Sequence, residues 1–158
     1  MSKYLFIVLL FSIACTSILN KKNGIPDFNI LMLDSVTALN TSRIPEGEVI
    51  AMIFFYPDCD HCQEQTKEII EHIDSFKNIR LYFISIASIS SMRAFRDYYK
   101  LSRFSNIILG RDYSFSFPKY FEANTTPYTV IFDKHKKIQL ILKGNFKTSQ
   151  FIQEINKF

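Results

Sequence analysis

The apolar run Val49 to Tyr56 shows no polar alternation, the pattern of a strand covered on both faces. It stops at Pro57-Asp58. Beyond the stop, Thr66, Ile69, Ile70, Ile73 and Phe76 recur at helical spacing, which predicts a helix from Cys59 to about Lys77. Leu81 to Ile86 reads as a second buried strand. Met92, Phe95 and Tyr99 then share one face of another helix, with Ser90 or Ser91 as its cap. Phe104 to Leu109 predicts a short strand ended by Gly110, and Tyr113 to Phe121 a brief helix begun after Asp112. Tyr128 to Phe132 is a β-branched and aromatic strand. A polar turn, Asp133 to Lys137, leads into Ile138 to Leu142, which Gly144 ends. Thr148 is the expected cap of a last helix that turns Phe151, Ile152, Ile155 and Phe158 inward. Upstream, Asp27 to Leu33 and Ser35 to Asn40 form two short strands around Asp34-Ser35. Strands alternate with helices and a hairpin closes the sheet, so the class is α/β with a central mixed β-sheet flanked by helices.

Residues 1–19 stand apart from this alternation. Lys3 supplies a short positive region, and Tyr4 to Ala14 is an apolar stretch of signal-peptide length. A membrane-spanning helix needs about 20 apolar residues, and Ser12, Cys15, Thr16 and Ser17 interrupt this run early. The pattern predicts an exported protein. Ser12-Ile13-Ala14-Cys15 resembles a bacterial lipoprotein box, in which the cysteine becomes the lipidated first residue and tethers the chain to a membrane. Ser12 departs from the usual Leu or Val of that box. Residues 20–26 read as a short polar tether, and residues 27–158 as one domain.

Composition changes this picture little. A chain of 158 residues is long enough for one domain with a substantial core. The net charge of +4 is spread in singles and short clusters, which argues against a nucleic-acid partner. Arg93, Arg96, Lys100 and Arg103 read as a solvated helix face.

The chemistry concentrates where the first apolar run ends. Cys59 and Cys62 flank Asp60-His61 at the predicted start of a helix. A thiol there faces unpaired backbone N–H groups and the positive end of the helix dipole, so its thiolate is favoured. A second cysteine one turn on can reach back and close a disulfide. A structural bridge this short would remove little unfolded-state entropy. A structural zinc site needs four ligands, and His61, His72 and His135 lack paired ligand spacing, so no metal is expected. The pair therefore reads as a redox dithiol without a further cofactor, with Cys59 as attacking thiol and Cys62 as resolving thiol. An imidazole at His61 would favour the thiolate, whereas carboxylates at Asp58 and Asp60 would oppose it. The sign of their sum does not follow from the sequence.

From about Pro26 to Phe158 the chain resembles the thioredoxin fold and, within it, the TlpA-like (redoxin) thiol-disulfide oxidoreductases of bacterial envelopes. Phe54 to Cys62 is similar to that family's strand and CxxC signature. Pro26-Asp27-Phe28 and the hairpin after it resemble its extra amino-terminal segment, and the stretch from Ile86 to Tyr113 its inserted helical element. The resemblance implies a cis-proline at Pro127, with the backbone of Thr126 facing the dithiol to pair with an extended substrate. It also implies protein thiols and disulfides of the envelope as substrates, and an upstream redox partner. Asp58 replaces the family's tryptophan, Asp60-His61 lacks a proline, and Ile53 stands where plain thioredoxin has a buried acid. The last leaves Glu64 or water to move the proton of Cys62. Two other functions compete. A thiol peroxidase would need Thr or Ser three residues before its cysteine, where Tyr56 stands; a non-catalytic binding module would keep the fold without exchange. Phe115, Phe117, Tyr120 and Phe121 are expected to be core and rim packing rather than the lining of a substrate groove.

Overall fold

The computed structural model describes residues 23–157. The predicted signal, Cys15 and Phe158 lie outside that range. Seven strands form one mixed sheet: β1 (Asn29–Met32), β2 (Ala38–Asn40), β3 (Val49–Phe54), β4 (Ile79–Ser85), β5 (Ile107–Arg111), β6 (Tyr128–Phe132) and β7 (Ile138–Lys143). Their order is β2-β1-β5-β4-β3-β6-β7. The three central strands β5, β4 and β3 run parallel, and the outer pairings are antiparallel. Among the described residues four α-helices cover the sheet: α1 (Asp60–Glu71), α2 (Ile89–Tyr98), α3 (Ser116–Phe121) and α4 (Thr148–Ile155).

The unbroken apolar character of β3 and β4 has a direct cause. Successive side chains point to opposite faces, and both faces are buried. Ala51, Ile53, Leu81 and Phe83 join the core under α1, α2 and α4, with Ile69, Met92, Phe95 and Phe151. Ile50, Met52, Tyr82 and Ile84 join the opposite core with Phe28, Phe117 and Phe121. Strand β7 lies at the edge, and its alternate residues Gln139, Ile141 and Lys143 are exposed.

Several expected boundaries move. The first helix ends at Glu71, and a separate 3₁₀ turn, Ile73–Phe76, carries Phe76 into the core. Ser88, not Ser90 or Ser91, caps α2: its hydroxyl accepts from the Ser91 N–H at 3.1 Å. Gly110 does not end a strand; it lies inside β5 beside β1. A Cβ there would fall 2.1 Å from Cγ2 of Ile30, so only glycine lets β1 approach. Helix α3 starts at Ser116, and buried Asp112 accepts the Phe117 N–H at 2.7 Å. Pro118 fits because it stands in the first turn of that helix.

Thr148 is the first residue of α4 rather than its cap, and the Lys147 side chain caps nothing. The Thr148 N–H instead donates to Oε1 of Glu68 on α1, at 2.8 Å. From Asn23 onward the expected tether lies against the domain: Gly24 bridges Lys137, and the Ile138 N–H donates to the Asn23 carbonyl at 3.2 Å.

Candidate active site

Strand β3 delivers the chain to the carboxyl edge of the sheet, and a tight turn reverses it. Pro57 and Asp58 occupy the middle of that turn, which the Cys59 N–H closes on the Tyr56 carbonyl at 3.2 Å. Gln63 Nε2 donates to the Pro57 carbonyl at 3.0 Å and pins the turn to the helix it precedes. Cys59 then takes the N-cap position of α1, and its sulfur accepts from the Cys62 N–H at 3.3 Å. A sulfur thus stands where a Ser or Asp oxygen ordinarily caps a helix.

Across the site, Thr126-Pro127 is a cis peptide bond at the entrance to β6. The Thr126 carbonyl lies 3.8 Å from the Cys59 sulfur, and the Thr126 hydroxyl donates to that sulfur at 3.5 Å. Residues 67 positions apart in sequence thus meet at one sulfur.

The two thiols are in opposite electrostatic situations. Burial pushes Cys59 up, but hydrogen bonds with the Cys62 thiol, the Thr126 hydroxyl and the backbone N–H groups of Cys62 and His61 outweigh it. They hold Cys59 below its ordinary value. Cys62 is 1% exposed and packs in the core under α1. Burial first, and its hydrogen bond to Cys59 second, push it up to about 12. Both are free thiols in this structure.

The His61 imidazole is exposed and faces Glu64, with Nδ1 and Oε2 at 3.3 Å, so it is His61's backbone that reaches Cys59. Glu64 also accepts from Asn145 Nδ2 at 2.9 Å. Asp60 occupies the first helical position and is exposed, and Asp58 is exposed in the turn. Ile53, at the place of the missing acid, is buried. Phe117 and Phe121 are core residues, but Phe115 is 56% exposed. With Phe54, Tyr56, Ile86, Ala123 and Thr126 it lines a cleft of about 230 Å³ beside the cis-proline.

Sequence reading missed two supporting features. One is the Thr126 hydroxyl, which no local pattern could have placed beside a distant sulfur. The other is Gln65, buried one turn below Cys62. Its side chain accepts the Phe146 N–H at 2.6 Å and donates to the Phe146 carbonyl at 3.2 Å, clamping the β7–α4 connection to α1. Farther down α1, Glu68, Glu71 and His72 bring ligand atoms within 4.8 Å of one another. Glu68 is already engaged there by the Thr148 N–H and, at 3.8 Å, by Lys147. Among the described residues no helix is long and apolar enough to cross a membrane.

This architecture recurs in solved structures. A secreted Mycobacterium tuberculosis disulfide oxidoreductase homologous to E. coli DsbE superposes with a TM-score of 0.68 at 12% identity, covering 83% of this chain and 96% of that one. MTB dsbF gives 0.69 at 15% identity, with 82% and 93% covered. StoA from Bacillus subtilis gives 0.61 at 13% identity, with 82% and 96% covered. The fold is thioredoxin-like, as the strand, dithiol and proline implied. A search of curated protein sequences gives no match. Residues 22–141 match the profile of the AhpC/TSA family, more than half of the chain, and the protein therefore belongs to that family.

Proposed function

We propose that the protein is an exported thiol-disulfide oxidoreductase that reduces, or in reverse donates, disulfides in proteins of the cell envelope. The observation that carries this reading is the asymmetry of the dithiol: an N-cap sulfur held toward the thiolate, backed by a buried thiol pushed up to about 12. The Cys59 thiolate attacks one sulfur of a substrate disulfide. A mixed disulfide forms, and the other substrate sulfur leaves as a thiolate that takes a proton from water. The substrate's extended backbone pairs with that of Thr126, which presents its carbonyl 3.8 Å from the attacking sulfur. Cys62 then loses its proton and attacks Cys59, which frees the second substrate thiol and leaves the Cys59–Cys62 disulfide. An upstream dithiol or disulfide partner resets the pair. With Ile53 in place of an acid and Glu64 held by Asn145, water carries the Cys62 proton.

Export is supported by the amino-terminal pattern ending at Cys15 and by the secreted relative of the same fold. A lipid on Cys15 would hold the domain at a membrane; incorporation of radiolabelled palmitate that Cys15→Ser abolishes is the expected result. Tyr56 lines the cleft at the position where a thiol peroxidase needs Thr or Ser, and no hydrogen bond joins an arginine to Cys59 among the described residues. The peroxidase reading is therefore weaker.

The test is a trap. Cys62→Ser should accumulate a covalent adduct with a disulfide-containing protein such as insulin, joined through Cys59 and dissolved by dithiothreitol. Absence of any thiol-sensitive adduct would overturn the proposal. The direction of flow follows from the reduction potential: about −270 mV marks a reductant and about −120 mV a disulfide donor.

A further inference from the structure

A groove of about 480 Å³ lies between helix α2 and the Pro57-Asp58 turn that leads into Cys59. Gln63 and Ser91 contribute to its walls, and two tyrosines dominate its far side. Tyr98 is 77% exposed, an unusual position for so large a ring. It is not a loose side chain. Its ring meets Tyr99 edge-on, with centroids 4.9 Å apart at 81°. Tyr99 in turn packs on Phe95, and Phe95 on Phe55 in the core, at 4.7 and 4.9 Å. An aromatic ladder thus runs from beneath β3 to the rim of the groove.

The charge is equally one-sided. Asp58 is the only charged residue lining the groove, and no hydrogen bond or ion pair engages its carboxylate among the described residues. The two arginines of α2 are committed elsewhere. Arg93 donates to the Leu33 carbonyl at 2.7 Å and to the Ser35 hydroxyl at 2.9 Å, and Arg96 pairs with Asp97 at 2.7 Å. A carboxylate and an open tyrosine lining one groove are a setting for a cation, which gains from the negative ring face and the carboxylate together.

We propose that this groove is a specificity subsite for a lysine or arginine side chain flanking the reactive cysteine of the substrate, with Asp58 and Tyr98 as its recognition residues. The proposal rests on the oxidoreductase reading above and names the substrate class for it. It also runs against the overall field. The chain carries +4, so non-specific attraction would favour acidic peptides, and a preference for basic ones has to come from the groove.

The test uses synthetic peptides with one cysteine blocked as a methyl disulfide and flanked on both sides by Lys, Leu or Glu. The rate at which each oxidises the reduced protein is divided by its rate with dithiothreitol, which removes the peptide's own reactivity. The Lys peptide should exceed the Leu peptide by about 3- to 10-fold, from one cation–π contact and one exposed ion pair. The Glu peptide should be slowest. Asp58→Asn and Tyr98→Ala should each bring the Lys-to-Leu ratio toward one. The ratio cancels any change that Asp58→Asn makes in Cys59 itself, and Tyr98 lies on a separate element. Equal normalised rates for Lys and Leu, or a ratio untouched by both variants, would overturn the subsite and leave the oxidoreductase reading standing. Failure of every peptide to exchange would remove both.

Discussion

Cys59 and Cys62 carry the same side chain one helical turn apart. At the mouth of α1, Cys59 is half-buried and collects N–H donors from the opening turn and a hydroxyl from Thr126. One turn in, Cys62 is packed among apolar side chains with Ile69 and Phe55, where an anion would have little to solvate it. The helix backbone that stabilises one sulfur supplies nothing comparable to the other. The difference teaches that a CxxC pair needs no special residue between its cysteines to become asymmetric. The step from helix mouth to core, with hydrogen bonds from the Cys62 thiol, the Thr126 hydroxyl and the unpaired first-turn N–H groups on the outer sulfur, produces it.

The strongest way to break this comparison is to remove the exposed sulfur. Cys59→Ser should lower insulin-disulfide reduction by more than about 1,000-fold, since the buried partner is protonated and sterically shielded at neutral pH. Residual turnover within tenfold of the parent would mean that Cys62 attacks. Next in size is the reactivity ratio of the two thiols. With Cys59 below 9.0 and Cys62 at about 12, the thiolate populations at pH 7 differ by about 10³ or more. The more basic thiolate is the stronger nucleophile, which recovers roughly half of that on a logarithmic scale. Mass-spectrometric mapping of iodoacetamide labelling should therefore show Cys59 reacting at least about 30-fold faster. Labelling of Cys59 should rise through a midpoint below 9.0, while Cys62 should stay unlabelled until strongly alkaline pH.

Much of this site is legible in the sequence because its parts are local. The apolar run of β3, the Pro57-Asp58 stop and the two cysteines are contiguous, so spacing alone places a dithiol at a helix start. Pro127 enters only through family resemblance; nothing local to Thr126-Pro127 announces a partner 67 residues away. The sheet was readable for the same reason that β3 and β4 are apolar throughout. Boundaries were less so. Gly110 looks like a terminator until Ile30 is seen against it, and Thr148 looks like a cap until Glu68 is found doing that work from another helix. Those are long-range contacts, and propensity does not carry them.

Below the site, the comparison turns from chemistry to support. Gln65 serves two buried backbone groups of Phe146, and truncating it leaves both unpaired. Gln65→Ala should destabilise the domain by about 2–4 kcal/mol in urea denaturation. If the environment of Cys59 is as local as described, its labelling midpoint should barely move in that variant. Glu68 gives a smaller, pH-dependent effect. Backbone hydrogen bonding from Thr148, with Lys147 nearby, holds its carboxyl below the usual value of 4.5. Its contribution is fully present above the unfolded-state value and is lost as pH falls through the folded one. Glu68→Gln should therefore cost about 1 kcal/mol at pH 7, the scale of a helix cap, and the difference from the parent should vanish as pH falls through the lowered folded-state value.

The smallest effects test whether hydrogen bonds to the Cys59 sulfur, rather than the side chains between the cysteines, set the asymmetry. Thr126→Val removes one donor at 3.5 Å and keeps the side chain's shape, so the Cys59 labelling midpoint should rise. His61→Ala keeps the backbone N–H that reaches the sulfur and deletes an exposed imidazole already turned to Glu64. Its shift should be smaller than that of Thr126→Val. A larger shift for His61→Ala would reverse the ranking, because it would show that the imidazole leaves Glu64 and acts on the thiolate directly. The two variants, measured side by side over the same pH range, separate a sulfur tuned by the donors bonded to it from one tuned by a neighbouring imidazole.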